Sequence, residues 1–267
     1  MINVIVAGAA GRMGNRLVAL IKDSPALTLT GAIEGKGHPA LGDDAGEIAG
    51  CGKSGVLITS DLSPLLDRGA VVIDFSAPEA TLNHFRIVAQ HRRAMVIGTT
   101  GLAGSALEEL TSLAGQVPCV FSPNMSVGVN LLYKVIAEMA KTLGDGYDIE
   151  VIEAHHRLKK DAPSGTALKI AEVLAKAVNR DLDKVGVYAR KGLTGERTPQ
   201  EIGIQTIRAG DIVGDHTILF GGLGERIEVT HRASSRDTFA RGALRAAQWV
   251  VAQRPGLYDM MDVLCLK

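Results

Sequence analysis

The sequence predicts an α/β protein: an N-terminal Rossmann-like domain with a parallel sheet, followed by a C-terminal α+β domain with a mixed sheet. Three observations predict it. Short β-branched runs alternate with helical patterns through the first half, and a stretch of glycines and small residues separates the first strand from the first helix. The second half then changes to alternating polar and apolar residues, the pattern of strands with one covered and one open face.

Taken in order, INVIVAG (2–8), LTLTGAIE (27–34), AVVIDFS (70–76), AMVIGTT (94–100) and PCVFSPN (118–124) read as buried strands, with GVLITSD (55–61) a less regular one. Leu17, Val18, Leu20 and Ile21 mark the buried face of a first helix. Pro78 opens a second helical segment that runs to about His91, at a position where its fixed φ is tolerated. Strand and helix repeated in this way give parallel strands with right-handed crossovers. YDIEVIEAHH (147–156), EIGIQTIRAG (201–210), DHTILFGG (215–222) and ERIEVTHRA (225–233) alternate as half-exposed strands, interrupted by a helix near 164–178. SSRDTFARGALRAAQWVVAQ (234–253) has the pattern of a long amphipathic helix returning to the first domain, and 180–200 reads as a long loop.

With 267 residues, 46% of them hydrophobic, the chain can bury a substantial core. Twenty-nine basic and 29 acidic side chains balance, so no overall field draws it to nucleic acid or an anionic membrane, and any anion site must be local. Cys51, Cys119 and Cys265 are odd in number and far apart, which argues against a disulfide framework and for a reducing compartment. No apolar run approaches the roughly 18 residues of a spanning helix, and no basic segment precedes the first strand, so a soluble, cytoplasmic protein is expected.

Gly8, Ala9, Ala10, Gly11, Arg12, Met13 and Gly14 lie between the first strand and the first helix. Small residues there let the backbone turn tightly and approach a pyrophosphate, whose charge a helix N-terminus stabilises. The spacing is GxxGxxG rather than GxGxxG, and a tight turn without ligand is the plain alternative. Context supports the ligand: Glu34 ends the second strand about twenty residues on, where a carboxylate accepts hydrogen bonds from an adenosine ribose. Gly98, Thr99 and Thr100, and Ser122, Pro123, Asn124 and Met125, follow later strands at the same sheet edge and are candidates for the nicotinamide half.

EAHHRLKKDAPSGTA (153–167) gathers histidines and cations ahead of a turn. On a strand, Glu153 and His155 share one face and His156 takes the other, so the two histidines do not chelate one ion, and no metal is expected. A histidine near neutrality exchanges a proton, while Lys159 adds a fixed positive charge. Ser164 is a suitable N-cap, and the amides of Gly165 and Thr166 would then lie at the positive end of a helix, where a carboxylate is stabilised. The alternative is a capped helix beside a solvated basic face.

EAHHRLKKDAPSGTA, with VAGAAGRMG, GTTGL, SPNMSVGVN and THRASSRDTFARGAL, resembles the 4-hydroxy-tetrahydrodipicolinate reductase (dihydrodipicolinate reductase) family over nearly the whole chain. The resemblance implies a dinucleotide-binding domain over 1–126 and 237–267, a substrate-binding and oligomerisation domain over 127–236, and a homotetramer. It implies reduction of a cyclic dicarboxylic imine by NADH or NADPH, with catalytic positions falling on His155 and Lys159. Substrate-binding positions fall on His156, Lys159, Gly165, Thr166 and Arg236, and cofactor positions on Gly8 to Met13, Glu34, Gly98 to Thr100 and Ser122 to Met125.

Two departures stand out. Gly35 occupies the place where many members have an arginine after the acid, and Ala77 replaces a basic residue found in some relatives. Glu34 followed by Gly35 favours NADH over NADPH, because an unshielded carboxylate repels a 2′-phosphate. The rival to a reductase is a dinucleotide-binding sensor without turnover, which would have no reason to keep His155, Lys159, Gly165 and Thr166 together.

Overall fold

Aliphatic runs become strands in this protein where helices cover both of their faces. The computed structural model describes residues 1–267 and divides into two units, Met1–Val127 with Arg236–Lys267, and Gly128–Ser235. The first unit runs β1 (Ile2–Ala7), α1 (Arg12–Lys22), β2 (Leu27–Ile33), α2 (Ala45–Ile48), β3 (Ile58–Thr59), a 3-10 turn at Ser63–Asp67, β4 (Val71–Asp74), α3 (Pro78–Gln90), β5 (Ala94–Ile97), α4 (Ser105–Ala114) and β6 (Pro118–Phe121). The second runs α5 (Val127–Leu143), β7 (Asp148–His155), α6 (Gly165–Ala177), α7 (Leu182–Val185), β8 (Gly186–Val187), β9 (Ile202–Arg208), β10 (Gly214–Gly221) and β11 (Arg226–Ala233). The chain then completes the first unit with α8 (Asp237–Val250), β12 (Gly256–Tyr258) and α9 (Met260–Val263).

All pairings in the seven-stranded sheet of the first unit are parallel, in the order β12-β6-β5-β4-β1-β2-β3. Successive strand residues serve opposite layers. Val4, Val6, Val71, Ile73, Val96 and Val120 pack with α1 and α8, whereas Ile5, Ala7, Val72, Met95 and Ile97 pack with α3 and α4. The strand order reverses between β1 and β4, which places the loops after these strands beside the switch-point crevice where open α/β sheets take ligands.

The expected Rossmann-like and mixed-sheet architecture is present, with local differences. The region 180–200, expected as a loop, contains α7 and β8 before it becomes irregular. Helix α5 is an addition to the expected elements, although Val129, Leu132, Tyr133, Ile136 and Ala140 form a continuous buried face. Strand β12 has three residues and gains its place only by pairing beside β6, a long-range contact that local periodicity does not encode. No helix is long and apolar enough to cross a membrane.

The five-stranded sheet of the second unit has the order β11-β10-β7-β9-β8. Strand β10 is antiparallel to both β7 and β11, while β7, β9 and β8 run parallel. One face carries Ile149, Val151, Ile202, Ile204, Ile218 and Phe220 against α5 and α6. The same face continues past this apolar block as Glu153, His155, Thr206, Arg208 and His216, since side chains recur at every second residue.

Close backbone approach fixes one glycine in the first unit. A Cβ at Gly242 on α8 would stand 1.7 Å from the carbonyl oxygen of Met125, so the helix lies against the 122–126 segment only without a side chain there. Gly35, by contrast, has open space for 4 Å around the place a Cβ would take. Gly242→Ala is therefore expected to cost about 3 kcal/mol and to lower the melting temperature by roughly 6 °C or more. Gly35→Ala should melt within about a degree of the wild type. Equal melting temperatures for the two variants, measured by circular dichroism, would contradict the packing argument.

Candidate active site

Two groups of residues, one in each unit, carry chemistry. In the first, β1 ends at Ala7 and Gly8 turns the chain with φ 71°, a left-handed conformation that favours glycine. The Gly11 amide donates to the Gly8 carbonyl at 3.0 Å, closing the turn. Gly11 then caps α1 without a side-chain hydrogen bond, and the first turn of α1 has no acidic residue. A Cβ at Gly14 would lie 2.0 Å from the Gly8 oxygen, so the third glycine lets the helix start directly against the loop. This is a cradle for an anion, with an uncapped helix N-terminus behind it. Arg12 is exposed, Met13 packs on the core and Ala9 is buried.

Glu34 reaches back to this loop. Its Oε1 accepts from the Ala10 amide at 2.9 Å and its Oε2 from the Gly35 amide at 3.3 Å, which fixes the carboxylate beside the glycine turn. Glu34 and the loop are thus brought together by a direct bond.

The two other predicted segments divide between exposed positions and positions packed inside the unit. Gly98 lies under the Phe75 ring, where a Cβ would approach Cε1 to 2.1 Å. Thr99 is buried, and its hydroxyl bonds to Thr81 Oγ1 at 2.8 Å and lies 3.4 Å from Asp74 Oδ1. Thr100 and Pro123 are exposed, while Met125 belongs to the core. Ser122 donates to the Asn124 carbonyl at 2.9 Å, tightening its turn.

Asp74 is a functional-looking residue that sequence reasoning misses. Fully buried at the end of β4, it accepts from the Ser76 amide at 2.8 Å, the Ser76 hydroxyl at 2.5 Å and Thr81 Oγ1 at 3.2 Å, and bonds His84 Nδ1 at 2.7 Å. A buried carboxylate must be satisfied in this way. The network shapes the turn after β4, whose Ser76 lies against Gly8. The only signal for it in the sequence is an acid at the end of an apolar strand.

In the second unit the register of β7 sets Glu153 opposite His216 of β10 and Thr206 of β9, with His155 opposite Arg208. Glu153 is 0% exposed. Its Oε1 accepts from the Ser164 amide at 3.1 Å, Thr206 Oγ1 at 3.2 Å and Arg208 Nη2 at 2.9 Å; its Oε2 accepts from Arg208 Nη1 at 2.9 Å and bonds His155 Nδ1 at 2.5 Å. Burial works against its ionisation, but Arg208, His155 and the Ser164 amide together hold the carboxyl below its usual range.

His155 stands at the opening of this cluster. Burial depresses its imidazole below the ordinary value, more than Glu153 raises it, and Lys159 and Arg208 depress it further. His216 packs edge-on against it, with ring centroids 5.3 Å apart, and burial takes the His216 imidazole down to about 4, so that ring is neutral. A Cβ at Gly214 would stand 3.1 Å from His155 Nε2, so glycine at this position leaves room beside that nitrogen.

Lys159 Nζ donates to both carboxylate oxygens of Asp161, at 2.9 and 2.8 Å, and its amide closes a turn on the His156 carbonyl at 3.0 Å. Arg208 Nη2 also donates to the Asp161 carbonyl at 2.7 Å, tying this turn to Glu153. Ser164 caps α6, accepting from the Ala167 amide at 3.1 Å, and its Oγ lies 3.2 Å from His216 Nε2. Gly165 begins the helix, exposed and with open space beside its Cα. Thr166 follows, half-buried and bonded to Tyr133. Arg236 is placed in the first unit, exposed, as the N-cap residue of α8.

Comparison with known proteins bears on this arrangement. The family profile described as "Dihydrodipicolinate reductase, N-terminus" matches residues 2–125, and "Dihydrodipicolinate reductase, C-terminus" matches residues 128–264. A 4-hydroxy-tetrahydrodipicolinate reductase of Syntrophobacter fumaroxidans is 57% identical over 267 residues, covering 100% of both chains. One of Syntrophus aciditrophicus is 56% identical over 264 residues, 99% of this chain and 98% of that protein. Among solved structures, the dipicolinate-bound dihydrodipicolinate reductase of Paenisporosarcina sp. TG-14 shares the fold with a TM-score of 0.75, at 24% identity and over 98% of each chain. Matched by a family profile in each half and by relatives above half identity along its whole length, this chain belongs to the dihydrodipicolinate reductase family.

Proposed function

We propose that the protein reduces 4-hydroxy-tetrahydrodipicolinate, a cyclic dicarboxylic imine, to tetrahydrodipicolinate in lysine and diaminopimelate synthesis, with a nicotinamide dinucleotide as reductant. The observation that carries this reading is the Glu153–His155 pair at the mouth of a cationic cluster, in a chain of this family. Overall, a hydride and a proton enter and water leaves. The dinucleotide, when bound, supplies the hydride. The uncapped α1 N-terminus and the tight turn that Gly14 permits against it fit its pyrophosphate, with Gly8, Ala9, Ala10, Gly11, Arg12 and Met13 lining it and Glu34 facing the adenosine ribose. Gly98, Thr99 and Thr100, and Ser122, Pro123, Asn124 and Met125, flank the nicotinamide half.

His155 gives the proton to substrate carbon, and Lys159 faces a substrate carboxylate, exchanging Asp161 for it. Gly165 and Thr166 offer amides at the start of α6 to a carboxylate, with His156 and Arg236 as further substrate contacts. Because burial holds the free His155 imidazole low, a dianionic substrate must raise its pKa before it can act as an acid. A cytoplasmic setting suits the three free thiols, Cys51, Cys119 and Cys265. A homotetramer is supported by the second sheet's outer face, where Ile152, Ile207 and Leu219 lie away from the helix-covered core.

Four measurements test these proposals. His155→Gln should lower kcat by about 10²–10⁴-fold with little change in KM, because a proton given in the transition state adds rate rather than ground-state affinity. In the wild type, kcat/KM should fall as pH rises through the depressed pKa of free His155, while the corresponding fall in kcat should lie at higher pH. Coincident limbs would remove His155 as the acid.

The cofactor preference follows from Glu34. With its carboxylate bonded to Ala10 and only Gly35 behind it, NADH should give a higher kcat/KM than NADPH, and Gly35→Arg, for which there is open space, should shift the ratio toward NADPH. A wild-type preference for NADPH would mean that Lys36 or Arg12 already neutralises the phosphate. Light scattering at micromolar concentration should give about four times the 28.1 kDa chain mass, and the mass of one chain would rule the tetramer out.

A further inference from the structure

We infer that Glu153 is the positioning residue of the reaction: its carboxylate holds His155 in the Nδ1–H form, makes the charged imidazolium reachable, and anchors the start of α6 through the Ser164 amide. The inference rests on the reading of His155 as proton donor and deepens it.

The geometry supplies three independent reasons. First, the ionised Glu153 carboxylate only accepts, so the proton in the 2.5 Å contact with His155 sits on Nδ1. The remaining nitrogen, Nε2, is the one beside Gly214, where a side chain would crowd it. In the neutral ring Nε2 has no proton to give, so donation from it requires the imidazolium.

Second, the charges around His155 make that form costly without Glu153. From β9 it faces Arg208, from the following turn Lys159 with Asp161 beyond it, and from β10 the neutral His216, behind which lies His231 of β11. Both cations oppose protonation, and Glu153 is the carboxylate in direct contact with the ring. Removing the Glu153 charge leaves His155 against two cations and an uncharged ring.

Third, Glu153 is shared. Thr206, Arg208 and the Ser164 amide occupy the carboxylate together with His155, and Arg208 continues to the Asp161 carbonyl. One buried group therefore orients the acid, the turn that carries Lys159 and the N-cap residue of α6. A residue needed only for stability would not have to meet the imidazole at its nitrogen.

The test uses the full-length protein with histidine labelled at nitrogen, the His155 signal being assigned by its loss in His155→Gln. In Glu153→Gln, the His155 pKa should fall by about one unit or more and the ring should no longer favour the Nδ1–H tautomer. Its kcat should drop at least about tenfold, with the falling limb of the kcat profile moved to lower pH and the NADH Kd unchanged. Glu153→Gln leaves Arg208 without its carboxylate partner, so the double variant Glu153→Gln/Arg208→Gln is prepared as well. It removes both charges, and it should fold and still show the altered tautomer and the low kcat. An unchanged His155 tautomer and pKa in Glu153→Gln, or wild-type kcat in the double variant, would overturn the inference. A wild type that does not reduce the imine would instead sink the functional reading, since the tautomer measurement requires no turnover.

Discussion

An ion pair with a fully buried carboxylate organises the second unit. Glu153 and Arg208 meet through two hydrogen bonds on neighbouring parallel strands, and the carboxylate has no exposure to water. Such a pair is a poor source of stability, because desolvating two charges offsets much of their attraction. It is costly to leave half-made, however, and every acceptor position of this carboxylate is occupied. The apolar block of Val151, Ile204 and Ile218 therefore ends in a polar layer centred on the Glu153 carboxylate, and that layer includes His155.

Much of the architecture is legible in the sequence because periodicity is a local property. β1, β2, β4, β5 and β6 follow from β-branched runs, and β7, β10 and β11 from alternation. Elements whose existence depends on distant partners are not legible in the same way. β12 is a strand because β6 offers it an edge, and β8 because β9 does. The site divides similarly. Pairing Gly8 to Gly14 with Glu34 needs only spacing, and the structure adds the bond from the Ala10 amide to Glu34. The alternation of β7 already puts Glu153 and His155 on one face. What it does not contain is the register with β9 and β10, which brings Arg208, Thr206 and His216 to the same carboxylate from 53 to 63 positions further along the chain.

The first unit solves a related problem with backbone rather than charge. Gly14, Gly98 and Gly242 each remove a side chain where a carbonyl or a ring comes close, and Gly8 supplies the positive φ of the first turn. The surrounding loops are then held by short polar bonds, Asp74 to Ser76 and Thr81 after β4, and Ser122 to Asn124 after β6. Glycine gives room without giving order, and the buried Asp74 network supplies the order. This explains why Thr99, a candidate for ligand contact, spends its hydroxyl inside the protein.

The return of the chain to its first unit after Ser235 has a consequence for synthesis. α8 supplies Ala240, Ala243, Ala246 and Ala247 to one layer of the seven-stranded sheet, and β12 extends its edge. During elongation at roughly 5–20 residues per second, the ribosome finishes the middle unit while the N-terminal strands still lack that layer. The inserted unit has all its strands before α8 emerges, whereas Ile73 of β4, Val96 of β5 and Val120 of β6 wait for the helix that packs on them. The interval between these two events is when the nascent protein offers chaperones an apolar sheet face, and it closes when α8 docks.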